Sequence, residues 1–187
     1  MNPAPPPTPR IPTVAYSALG PEDLVAAIRQ RRGGTLLNLD RMLLNSPAFA
    51  VGWNTFLGAV RRRLSLDARL RELAICTVAV LTRAPYEFSQ HAPEFLAAGG
   101  NLAQLDALED LASIQHSTLF DATEQAVIGL AQAMTEQVQV PDDCFMAVQK
   151  ALPDAQQLVE LVGVIAAYNM VARFLEALQV QPERPLD

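Results

Sequence analysis

Glu87 and His91 stand four residues apart, a spacing that stacks two side chains on one face of a helix. A carboxylate beside an imidazole holds the ring and raises its pKa toward neutrality, which makes the pair an acid/base couple. On a surface helix the same pair would be an ordinary contact worth about 0.3 kcal/mol. Glu72 stands at the start of the most apolar stretch of the chain, Leu73 to Leu81. A carboxylate there either loses solvation, which raises its pKa, or gains from the positive end of the helix dipole and pairs with Arg69 or Arg71.

Other chemistries have less to work with. Cys76 and Cys144 are far apart and form no CxxC, so both read as free thiols. Cys76, inside the apolar stretch, is expected to behave as a small hydrophobe. Of the two histidines, His116 reads as a loop residue. A metal site would therefore have to combine His91 with carboxylates, and Glu87-x-x-x-His91 is one residue longer than the Glu-x-x-His pair of di-iron bundles. No metal is expected. No Gly-rich phosphate loop, G-x-S-x-G elbow or H-E-x-x-H is present. Lys150 is the only lysine, which leaves one candidate for Schiff-base chemistry and no phosphate loop beside it. Acid/base chemistry without a cofactor is the economical enzyme reading.

The elements that must position these residues are helices. Pro21 begins one that runs to about Arg32 and stops at Gly33-Gly34. A short one covers Leu39 to Leu44, and Ser46-Pro47 opens the next, to about Arg62. Ser65 is the expected cap of the helix carrying Glu72, which should run to about Arg83. Pro85 starts the Glu87/His91 helix, which ends at Gly99-Gly100. Asn101 caps a segment through Ser113, and Asp121 with Glu124 forms a capping box for a helix to about Gln137. Pro141 opens a helix to Leu152, and Asp154 caps a long final one to about Leu178. No stretch alternates with period two between hairpin turns, so no sheet is expected. The fold class is all-α, a compact helical bundle.

Composition narrows the partners. The chain has 187 residues and a net charge of −6, with five prolines before Arg10. Residues 1–15 read as a Pro-rich flexible arm and residues 16–187 as one domain. Net negative charge argues against a nucleic-acid surface. The basic run Arg61-Arg62-Arg63, with Arg69 and Arg71, reads as a solvated face, or as a patch that neutralises carboxylates at a subunit contact or on a substrate. No uninterrupted apolar run approaches the roughly eighteen residues of a bilayer span, and no signal-like h-region is present. The expected setting is the cytoplasm, with no membrane partner.

The run from Leu70 to His91, with Glu72, Ala84, Tyr86, Glu87 and Phe88 inside it, resembles the signature of the carboxymuconolactone decarboxylase family, which is similar in fold to the alkylhydroperoxidase D proteins. The resemblance extends from about Thr35 to Leu178. It includes Leu37 to Pro47, Gly52-Trp53-Asn54 and Tyr168 to Phe174. It implies an all-helical subunit that assembles into a homotrimer or hexamer. In the peroxidase branch a glutamate precedes a C-x-x-C-x-x-x-H motif. Matched on His91, the two cysteine positions fall on Ala84 and Glu87 and the glutamate on Glu72. Both sulfurs are missing, and a dithiol peroxidase needs both. The chain therefore resembles the decarboxylase branch.

These readings imply a cofactor-independent decarboxylase, or a related lyase or isomerase, acting on a small unsaturated or lactone carboxylic acid. His91 is the expected proton donor, Glu87 holds its ring, and Glu72 orients the pair or relays a proton. Trp53, Tyr86 and Phe88 are candidate pocket walls and Arg41 a candidate carboxylate anchor. For each of these the alternative is packing or a surface pair. A peroxidase-like antioxidant role, dependent on Cys76 or Cys144, is the runner-up. A non-catalytic small-ligand-binding oligomer is the third reading.

Overall fold

The computed structural model describes residues 8–183. Every regular element among the described residues is helical, as the missing period-two patterns imply. Among the described residues nine α-helices follow one another: α1 Glu22–Arg32, α2 Asn38–Leu43, α3 Pro47–Arg62, α4 Ala68–Leu81, α5 Pro85–Ala97, α6 Leu102–Ala107, α7 Ala122–Glu136, α8 Asp142–Ala151 and α9 Ala155–Leu178. Contacts divide the chain into two compact units, one running to Arg63 and including the tail from Phe174, the other Leu64–Arg173.

In the first unit, α1 and α2 both pack on α3. The buried residues of α3 are Ala50, Trp53, Leu57 and Val60, steps of three and four that keep one face apolar. Asp40 on α2 is fully buried. It is held by Arg31 at 3.2 Å and Arg32 at 3.0 Å, and it accepts the Leu37 N–H at 3.0 Å. Gly33 ends α1 at φ +77°, its N–H returning to the Arg29 carbonyl, a left-handed cap that glycine adopts without a Cβ penalty. Residues 1–7 of the proline-rich arm lie outside the described residues. Beyond them, the Arg10 N–H donates to Leu178 O at 3.0 Å and the Val14 N–H to Arg41 O at 3.2 Å.

In the second unit α4 is central, packed against both α5 and α7, and α7 in turn meets α8. Eight consecutive residues of α4, Glu72 to Ala79, are buried. A helix apolar on nearly all sides is buried on nearly all sides, and this forces Glu72 inside. The cap of α4 is Asp67, whose side chain accepts from the Arg69 and Leu70 N–H groups. Ser65, expected in that role, instead donates its hydroxyl to Glu160 at 3.0 Å. α4 stops at Leu81, short of Arg83, because Thr82 bonds back to Val78 O and Arg83 turns left-handed at φ +53°. The segment after Asn101 also breaks early. The cap forms with Gln104 as its partner, but α6 ends at Ala107, and Leu111–His116 is a separate 3-10 segment. The Asp121/Glu124 capping box forms as the sequence implies.

α9 corrects one reading. Although charges interrupt its apolar runs, α9 contains an 18-residue stretch with mean hydropathy 1.6, which by length and composition alone is apolar enough to cross a membrane. More than half of that stretch, 56%, is buried in the fold, which is how a core helix behaves.

Gly100 approaches the core most closely. A Cβ there would overlap the ring of Phe95. That ring is fully enclosed in a cluster with Leu73, Cys76, Leu108 and Ile128, so it has no room to swing aside. Gly100→Ala is expected to cost about 1–3 kcal/mol, the range for overpacking. Urea unfolding reads this as a lower midpoint at unchanged slope, and an unshifted midpoint would contradict the packing described.

Candidate functional site

Burial of α4 carries Glu72 into the interior, and the tight connection through Thr82, Arg83 and Ala84 turns the chain straight into α5. The Ala84 N–H bonds to Ala79 O at 2.9 Å, and Pro85 occupies the first turn of α5, where a missing N–H costs nothing. α5 thus lies along α4 with Tyr86, Glu87, His91 and Phe95 facing inward. Glu72, Glu87 and His91 retain only 3%, 1% and 4% of their surface.

The two helices bring Glu72 and His91 into direct contact, Nδ1 to Oε2, at 2.6 Å. With Glu72 ionised, the ring N–H at Nδ1 donates to the carboxylate, a charge-assisted bond of the short kind. The other carboxylate oxygen, Oε1, accepts from Arg71 Nε at 3.0 Å. Burial pushes the Glu72 carboxyl up, but the His91 hydrogen bond and charge, followed by those of Arg71, outweigh it and hold the group below the ordinary carboxylate value. Glu72 is therefore an anion fixed at both oxygens. Arg69, weighed as its other partner, pairs instead with Glu124 at 2.7 Å.

The ring-holding contact at Nδ1 thus comes from α4, through Glu72, rather than from the i, i+4 neighbour Glu87. Glu87 lies one turn before His91 and is almost wholly enclosed. Tyr168 of α9, 2% exposed, meets the imidazole at right angles, with centroids 4.8 Å apart and planes at 85°. The sequence reading did not place Tyr168 in the site. Its one signal was membership of the Tyr168 to Phe174 stretch that carried part of the resemblance.

Tyr86 is buried, and Phe88 is half-buried against the Leu73–Phe95 cluster. Trp53 lies in the first unit at 5.1 Å from Phe174 and 5.8 Å from Phe49, centroid to centroid. Arg41, in the same unit, donates from Nε to Val14 O at 2.8 Å and lies over the Tyr16 ring.

Cys76 sits one turn after Glu72 and is fully enclosed. Burial, then the charges of Glu72 and Glu87, push its thiol well up. Cys144 is half-buried at the start of α8, and burial and Asp143 push its thiol up as well. It lines an open cavity of about 370 Å³ with Ala122, Ala126, Gly129 and Ala147, none of which belongs to the Glu72–His91 site. Among the described residues, no group of three or more His, Cys, Asp and Glu side chains could hold a metal ion.

Comparison with known proteins agrees with this architecture. Residues 47–133 match the carboxymuconolactone decarboxylase family. A peroxidase-related protein from Ralstonia eutropha JMP134, an alkylhydroperoxidase AhpD core, superposes with a TM-score of 0.79 at 15% identity, covering 95% of this chain and 93% of its own. A peroxidase-related protein from Silicibacter sp. TM1040 gives 0.76 at 14% identity, covering 95% of both chains. The debrominase Bmp8, solved with 2,3,4-tribromopyrrole, gives 0.76 at 16% identity over 94% of this chain and 92% of its own. No curated protein is a detectable sequence relative. The match to the carboxymuconolactone decarboxylase family runs from the start of α3 into α7, and the likeness in fold to the alkylhydroperoxidase D-like structures covers nearly the whole chain.

Proposed function

We propose that the chain is a cofactor-independent decarboxylase, or a related lyase or isomerase, acting on a small unsaturated or lactone carboxylic acid. The observation that carries this is the 2.6 Å contact between Glu72 and His91: a fixed anion on Nδ1 sets the tautomer and favours the protonated ring. Loss of carbon dioxide leaves an electron pair that a conjugated carbonyl holds until a proton arrives. His91 donates that proton to carbon, Glu72 orients and charges the ring, and Glu87 adds a second carboxylate to the field. The enclosure of all three residues favours a small substrate and low effective dielectric, where such charges act strongly. The testing experiment follows carbon dioxide release over a panel of small unsaturated acids, lactone carboxylic acids and pyrrole carboxylic acids. Release from one or more acids supports the reading; ligand binding without turnover would favour a non-catalytic role.

The peroxidase alternative is favoured by the peroxidase-related names of the two neighbours above. It would have to run on Cys76 or Cys144, because Ala84 and Glu87 stand at the motif positions. The thiolate is the nucleophile, and both thiols are pushed away from it. Peroxide reduction with a dithiol donor is therefore expected to be at background in wild type and unchanged in Cys76→Ser/Cys144→Ser. Substantial wild-type activity that vanishes in the double variant would overturn the lyase assignment.

A homotrimer or hexamer is part of the same proposal. Phe49, Val51 and Phe56 on α3 are each close to half-exposed, and Val159 on α9 is 71% exposed, more apolar surface than a lone bundle needs. Sedimentation at micromolar concentration is expected to show three or six copies. A monomer would contradict it.

A further inference from the structure

Glu72 has two bonded neighbours, and the proposed chemistry draws on only one of them. His91 meets Oε2 and carries the proton, while Arg71 meets Oε1 through Nε at 3.0 Å. Successive residues of a helix point about 100° apart, so Arg71 leaves α4 on a different side from Glu72 and bends back to reach it. That bond is the one hydrogen bond Arg71 makes among the described residues. A guanidinium carries its donors in a rigid planar fork. With Nε spent on Glu72, the pair that receives a carboxylate end-on, Nη1 and Nη2, is left over.

Exposure sets Arg71 apart from its neighbours. Its side chain keeps 16% of its surface, against 3% for Glu72 and 5% for His91. Nη1 and Nη2 make no hydrogen bond among the described residues and are not sealed inside the fold. Two other arginines weighed on the sequence are engaged elsewhere: Arg62 donates to Arg31 O in the first unit, and Arg69 pairs with Glu124 at 2.7 Å. Arg41, the anchor expected from the sequence, donates its Nε to Val14 O.

We propose that Arg71 is the substrate-carboxylate anchor of the site: Nη1 and Nη2 clamp the carboxylate of a small acid while Nε stays on Glu72. Arg71 and His91 are bonded to the two oxygens of one carboxylate, so an acid on the fork is brought beside the imidazole. The bond to Glu72 holds the guanidinium before the ligand arrives, and less freedom is lost on binding. The fate of the bound acid rests on the acid/base reading above, but its binding is measured without turnover.

The probe is crotonate, a small unsaturated acid, with crotonamide as its uncharged counterpart. The chain has two histidines, His91 and His116, so the His91 ring nitrogens of labelled protein are assigned by NMR with a His116 variant. Crotonate is expected to shift them saturably and crotonamide to leave them in place. Arg71→Gln removes the charge and the fork and is expected to weaken crotonate binding about 10- to 100-fold, the worth of hydrogen bonds to a charged group. Arg71→Lys keeps the charge without the fork and is expected to fall between the two. It also serves if the glutamine variant does not fold.

On any substrate from the carbon dioxide screen, Arg71→Gln is expected to raise KM by a similar factor, with a smaller fall in kcat. An arginine that only braces Glu72 would lower kcat and leave KM and crotonate binding unchanged. A fork that meets a carboxylate of a second copy would lose the oligomer in Arg71→Gln, read by sedimentation, without weakening crotonate. Inorganic phosphate that competes as well as crotonate would make this a general anion site. Each of these results overturns the proposal, as does the lack of a saturable crotonate shift in wild type. If crotonate binds through Arg71 and no acid releases carbon dioxide, the anchor stands and the lyase reading fails. If acids turn over with KM unmoved in Arg71→Gln, the lyase reading stands and the anchor fails.

Discussion

His91→Gln is expected to lose about two to four orders of magnitude in turnover, the usual contribution of a positioned acid or base. Glutamine keeps a hydrogen-bond donor near Glu72 but has no proton to deliver at neutral pH. The fold should survive, because the amide occupies much of the ring's volume and can still bond to Oε2. Glu87→Gln should cost less, since it keeps the shape and removes only a charge. The loss in His91→Gln should appear in kcat and kcat/KM alike, the pattern of an interaction made only in the transition state. A folded variant with full turnover would make His91 a structural residue.

Glu72 carries the second large effect, on stability. Glu72→Ala removes one partner of a buried pair, a change that typically costs about 3–5 kcal/mol because the other charge is left behind. Here the low end, about 3 kcal/mol, is expected, since the imidazole can shed its proton and Arg71 is only partly enclosed. For a chain of this size that is a fall of roughly 6–12 °C in Tm. The pH dependence has a definite sign. The folded-state pKa of Glu72 is lowered, so its contribution is complete above the ordinary carboxylate range and is lost as pH falls through the lowered folded value. Glu72→Gln should therefore flatten the acid limb of the stability curve while changing its neutral plateau less than alanine does. An acid limb identical to wild type would show that Glu72 is not the paired anion described.

The helices were legible because their punctuation is chemical. Pro47 and Pro85 start α3 and α5, Gly33 stops α1, and the Asp121/Glu124 box caps α7. Caps chosen by long-range partners were not. Ser65 has the right residue type but is drawn off by Glu160, ninety-five residues away, and local sequence carries no trace of that bond. The same limit applied at the site. Helical spacing pairs Glu87 with His91, and that pairing is all a one-dimensional reading can derive. The contact at Nδ1 runs between helices, from Glu72, and depends on how α4 and α5 pack. Tyr168 was harder still, because nothing in an apolar helix marks which of its large residues meets an imidazole seventy-seven positions earlier. Arg41 and Trp53, named for residue types suited to a pocket, lie in the first unit, where Arg41 donates to Val14 O and Trp53 packs against Phe174.

The most direct test of the central claim, that Glu72 and His91 form a working acid/base pair, is the pH dependence of kcat/KM on a substrate from the carbon dioxide screen. Activity requires an ionised Glu72 and a protonated His91. The profile is therefore expected to fall at low pH, below the ordinary carboxylate range because Glu72 is held low, and to fall again at higher pH as the imidazolium loses its proton. In His91→Gln the residual rate should lack the upper limb. A wild-type profile that is flat through the histidine range, or an upper limb that persists in His91→Gln, would contradict the account.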